Sequence, residues 1–94
     1  MRDLYQLTMS TVCRHTGFSE MQILHDRREL CTDARYLLVH LLSEKLRCHE
    51  IVHLSGLPKQ TVSQIINSYS DRARWKHSLR CCEKEVREEL QGEE

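Results

Sequence analysis

His49-Glu50-Ile51-Val52-His53-Leu54-Ser55-Gly56-Leu57-Pro58-Lys59-Gln60-Thr61-Val62-Ser63-Gln64-Ile65-Ile66 decides the fold of this 94-residue chain. Two short amphipathic segments flank a single turn. Gly56 takes the left-handed backbone of a tight turn without steric penalty. Pro58 suits the first position of a new helix, where its missing N–H would have no partner anyway. Ile51, Leu57, Val62 and Ile65 supply the apolar wedge between two helices set at a steep angle. The stretch reads as a helix-turn-helix.

The same spacing leaves Lys59, Gln60, Thr61, Ser63, Gln64 and Asn67 on the outer face of the second helix. These polar groups can donate to and accept from base edges, and none of them is acidic. The start of that helix also directs unpaired N–H groups outward, where a phosphate can sit. Double-stranded DNA is the partner this pattern predicts.

Outward from the motif, the chain is helical throughout. It has one proline and three glycines, and little alternation of β-branched residues. Leu4, Leu7, Thr11 and Val12 fall at helical spacing in a first helix that Gly17 closes. Ser19-Glu20-Met21-Gln22 has capping-box form and starts a second helix running to about His25. Residues 26–29 form a charged connection. A third helix carries Leu30, Ala34, Leu37, Leu38, Leu41 and Leu42 on one face and ends near Leu46. Downstream of the motif, Asp71 is placed to cap a last helix with Trp75, Leu79, Cys82, Val86 and Leu90 as its apolar positions. Trp75 is expected as a core anchor. The fold class expected is all-α, about six helices around a central helix-turn-helix. Residues 1–94 form one domain, with a frayed acidic tail at about 91–94.

Net charge is zero, but it is unevenly distributed. Residues 1–80 hold twelve Lys/Arg against eight Asp/Glu, whereas residues 81–94 hold two against six. A basic body with an acidic tail suits a DNA partner. The longest strongly apolar run, residues 36–42, falls far short of the roughly 20 residues a bilayer requires, so no membrane role is expected. The first residues lack the pattern of an export signal. Five cysteines, an odd number, then read as reduced thiols in a cytoplasmic protein.

Other constellations are weaker. His49 and His53, with Cys48 alongside, have helical metal-ligand spacing, as do His77 and Cys81. None has the paired Cys-x2-Cys that makes a zinc site convincing, so no metal and no cofactor is expected. The chain has no Gly-rich phosphate loop, nucleophile elbow or spaced carboxylate pair, and an enzyme is not expected.

Further upstream, Val12-Cys13-Arg14-His15-Thr16-Gly17-Phe18-Ser19, Ile23-Leu24, Arg27-Arg28-Glu29 and Ala34-Arg35-Tyr36-Leu37-Leu38 precede the motif in a telling order. Across about residues 8–70 the chain resembles the C-terminal DNA-binding domain of the bacterial replication initiator DnaA, of the Trp-repressor-like helix-turn-helix group. The resemblance implies that Arg27 and Arg28 occupy a basic loop reaching the DNA backbone and adjacent minor groove. It also implies that Lys59, Gln60 and Thr61 open the helix that reads the major groove. The family's Arg-Asp-His-Ser/Thr-Thr-Val signature is replaced here by Leu57-Pro58-Lys59-Gln60-Thr61-Val62, with a turn one residue shorter. Neither specificity for the DnaA box nor an ATPase module is therefore expected.

The site expected is Lys59, Gln60, Thr61, Ser63 and Gln64 on bases, with Arg27, Arg28 and Arg35 on phosphates. For Arg35, a buried carboxylate pair is an equal alternative. The function expected is sequence-specific duplex binding, as a bacterial transcriptional regulator or DnaA-related replication accessory protein. The alternative is a protein-interaction module built on the same frame. The amphipathic last helix is a candidate homodimer surface.

Overall fold

The computed structural model describes residues 4–92. Six helices follow in order: α1 (Leu4–Thr16), α2 (Glu20–His25), α3 (Glu29–Ser43), α4 (Cys48–Ser55), α5 (Lys59–Trp75) and α6 (His77–Gly92). No strand occurs among the described residues, and the expected all-α class with about six helices holds.

The helix ends have local causes. Ser19 caps α2, its Oγ accepting from the Gln22 N–H at 3.2 Å while the Ser19 N–H donates to Gln22 Oε1 at 2.9 Å. Gly17 closes α1 at φ 79° and Gly56 closes α4 at φ 76°, both left-handed, where glycine alone is unstrained. The Gly56 N–H returns to the Val52 carbonyl at 2.9 Å.

α3 is the axis of the domain and packs against every other helix. Its Leu37, Leu38, Val39 and Leu42 are almost fully buried, together with Val12, Ile23, Ile51, Val62, Ile65 and Val86 from the other helices. Each such side chain contributes about 1.5–3 kcal/mol relative to exposure. Two buried hydroxyls are satisfied within their own helices: Thr11 donates to the Leu7 carbonyl at 2.9 Å and Ser55 to the Ile51 carbonyl at 2.7 Å.

α6 closes the bundle against α1, α3 and α5. Leu90 and Gln91 line a surface cavity with Leu4, Leu7 and Thr8, and Glu89 pairs with Arg14 and with His15, the latter at 2.9 Å. On the other side, Tyr69 of α5 donates to Glu83 at 2.6 Å and stacks on His40 of α3, ring centroids 3.9 Å apart. Arg87 binds Glu83 at 2.7 Å and Glu44 at 2.6 Å. Burial raises the Tyr69 hydroxyl pKa and the hydrogen bond to Glu83 raises it further. Burial would likewise raise the Glu83 carboxyl, but the hydrogen bonds from Tyr69 and Arg87 outweigh it and hold that group below its ordinary value.

Several sequence expectations are corrected. α5 does not end before Asp71. It runs on to Trp75, because Tyr69 and Ala73 keep a buried face and Arg72 bonds Asp33 of α3 at 2.6 Å. Asp71 is an exposed residue inside α5, not a cap. The break falls at Lys76, whose backbone (φ −124°, ψ 88°) leaves the helix while its ammonium reaches Glu29 at 2.6 Å. That break turns Trp75 away from the face carrying Leu79, so Trp75 is 82% exposed and not a core anchor. Leu30, in the first turn of α3, is 65% exposed rather than on the core face. α1 buries Tyr5, Thr8 and Met9, with Leu4 and Leu7 only half-buried. α3 stops at Ser43, short of Leu46, and Pro58 precedes α5 as its N-cap. Of the expected frayed tail, Gln91 and Gly92 are helical, and Glu93 and Glu94 lie outside the described residues.

Candidate nucleic-acid interface

The wedge holds α5 from beneath. Ile51 of α4, Leu57 of the turn, and Val62 and Ile65 of α5 are all buried. Within the turn, Ser55 Oγ accepts from the Leu57 N–H at 3.2 Å, fixing the chain between the two helices. α5 can then direct only its opposite face outward.

On that face Lys59, Gln60, Gln64 and Asn67 are exposed. Among the described residues their side chains make no hydrogen bond or ion pair. The first turn of α5 has no acidic residue, and Asp71 is the one acid in the helix. Thr61 is half-buried beside this face. Ser63, expected as a base reader, lies on the seam with α4, its Oγ 3.6 Å from Cys48 Sγ. It is half-buried there.

The arginines expected on phosphate form a second group at the α2–α3 junction. Arg27 is exposed, with no side-chain partner among the described residues. Arg28 is also exposed but is held by Asp26, Nε to Oδ2 at 3.0 Å, and lies over the Phe18 ring at 5.7 Å. The Arg28 hydrogen bonds keep the Asp26 carboxyl below its ordinary value. Arg35 is half-buried and donates to two main-chain carbonyls, that of Ile23 at 2.9 Å and that of Asp26. It thus has neither the carboxylate partner weighed for it nor a free guanidinium. Burial lowers its pKa.

α4 adds two imidazoles that the sequence offers as weak metal candidates. His49 and His53, one helical turn apart, are exposed beside Arg47 at the start of the motif. His77 Nε2 and Cys81 Sγ approach to 3.3 Å on the outward ridge of α6. No group of three or more His, Cys, Asp or Glu able to hold a metal occurs among the described residues.

The apolar face of α6 is used inside the chain, where Leu79 and Val86 are buried. Exposed apolar groups lie elsewhere, at Trp75, Met21, Leu30 and Leu54, and a groove lined by Phe18, Leu30, Leu79 and Cys82 runs between α3 and α6. No helix is long and apolar enough to cross a membrane among the described residues. No family model, curated protein or solved structure matches the chain.

Proposed function

We propose that the chain binds duplex DNA sequence-specifically through α5, as a bacterial transcriptional regulator or a DnaA-related replication accessory protein acting in the cytoplasm. One observation carries the reading: the first three turns of α5 expose Lys59, Gln60, Gln64 and Asn67 without an acid, over a fully buried wedge. Polar groups of this kind match base edges in the major groove, which admits one helix. Of the cations expected on DNA, Arg27 and Lys59 have side chains without a partner among the described residues and so able to hold phosphate, and Arg28 joins them if it releases Asp26. So few phosphate contacts give modest affinity alone, which favours a dimer or a partner protein on the DNA. A homodimer through α6 would use its outward polar ridge, since its apolar face is spent within the chain.

The test is fluorescence anisotropy of the full chain with a pool of random-sequence duplexes across a salt titration. The expected result is a log–log salt slope of about −0.9 per phosphate contacted. No binding at low salt overturns the reading.

The second reading, a protein-interaction module, is favoured by the exposed Trp75 and Leu30. On that reading, Lys59→Ala, Gln60→Ala and Arg27→Ala leave DNA affinity untouched, and a protein partner is lost.

A further inference from the structure

We infer that α5 selects adenine-containing base pairs through a stripe of three amide side chains, Gln60, Gln64 and Asn67; the inference rests on the DNA-binding reading above. At about 100° per residue, Gln64 lies about 40° to one side of Gln60 and Asn67 about 20° to the other. All three are exposed. They therefore form one narrow line along the helix, opposite buried Val62, Ile65 and Tyr69.

The chemistry of the line differs from that of α6. The outward face of α6 carries the charged residues Arg80, Lys84, Glu85 and Glu88, as solvated helix faces ordinarily do. The stripe on α5 is uncharged over the same length. A primary amide is a donor and an acceptor side by side, and adenine offers the complementary pair in the major groove, an N7 acceptor and an N6 donor. Because none of the three amides has a partner among the described residues, all keep both functions for a ligand. Ser63, with its hydroxyl against Cys48, does not.

Spacing limits how far the stripe reads. From Gln60 to Asn67 the helix rises about 10.5 Å, close to three base-pair steps of about 3.4 Å. The next residue on the line is Asp71, about 16.5 Å from Gln60, beyond the roughly 12 Å width of the groove. Its charge would face phosphate. Recognition helices enter by their N-terminal residues, so the stripe ends where the helix leaves the groove. Lys59, set about 100° from Gln60, stands beside the line as a cation for guanine or phosphate.

Selection of bound sequences from a random duplex pool by the full chain tests this. The expected motif holds two or three A·T pairs within four consecutive base pairs. Gln64→Ala should relax the preference at one of those positions, lowering discrimination there by roughly 5- to 150-fold. Circular dichroism checks that this exposed substitution leaves the helices intact. A motif built of G·C pairs overturns the inference, as does a motif that Gln60→Ala, Gln64→Ala and Asn67→Ala each leave unchanged. Salt-dependent binding with no selected motif also overturns it, while leaving α5 on the DNA backbone. Absence of binding at low salt removes the DNA reading itself.

Discussion

The Tyr69 hydroxyl of α5 lies 2.6 Å from the Glu83 carboxylate of α6, across a junction one residue long in the chain. The same ring stacks on His40, and His40 Nε2 stands 3.7 Å from the other Glu83 oxygen. One aromatic side chain therefore joins the helix that would meet DNA to the helix that closes the bundle.

Tyr69→Phe keeps the stack and removes the hydroxyl. It should cost about 1.5 kcal/mol, the lower range for a hydrogen bond to a charged group, since Glu83 can still recruit water. In a domain of this size that is a fall in Tm of roughly 6–12 °C. A double-mutant cycle with Glu83→Gln should return a coupling of about 1 kcal/mol. Additive effects would show that the bond is not a source of stability.

Acid should unfold the protein through specific carboxylates. Glu83 titrates below its ordinary value when folded, so it binds fewer protons in the folded state than in the unfolded one. Its contribution is present above the unfolded value of about 4.3 and is lost as pH falls through the lower folded value. Glu29, held down first by its hydrogen bond from Lys76, and Glu89, held down by that from His15, shift in the same direction. Urea midpoints measured across the acid range should fall less steeply in Glu83→Gln. An unchanged slope would remove Glu83 from the account.

Arg35→Ala should act on stability rather than on DNA. The guanidinium satisfies the Ile23 and Asp26 carbonyls at the end of α2, and its loss leaves partly buried acceptors behind, at about 1–3 kcal/mol. Arg35→Lys should recover little, because an ammonium lacks the planar fork that reaches both oxygens. Thermal melts measure this directly. A variant that melts like the native chain but loses DNA would return Arg35 to the interface.

Trp75→Ala should change stability by no more than about 0.5 kcal/mol, the range of ordinary surface substitutions. Tryptophan fluorescence of the native chain should be red-shifted and readily quenched by acrylamide. A blue-shifted, protected signal would mean that something covers Trp75 in solution.

How much of this was legible in the sequence differs by residue. The turn at Gly56, the cap at Ser19 and the wedge at Ile51, Leu57, Val62 and Ile65 are local or periodic signals, and each was readable. The outward placement of Lys59, Gln60 and Gln64 follows from that wedge. The end of α5 was not readable, because Asp71 is a good cap by type and the contact that overrides it, Arg72 with Asp33, spans 39 positions. Trp75 was misread because it shares a helical spacing with Leu79 that holds only if no break intervenes. Arg35 could not be read because its partners are main-chain oxygens, which every residue carries. Ser63 turned to the seam for a similar reason: its neighbour, Cys48, lies on another helix.

The contact between the first helix and the last has a consequence for how the chain comes into being. His15 meets Glu89 across 74 positions of sequence. At the usual pace of translation, α1 is made roughly 4–15 s before that partner. During that interval, the surface α1 will give to α6 faces water or the ribosome. The helix-turn-helix is complete well before then, so the proposed reading head is synthesised ahead of the last wall of its own bundle.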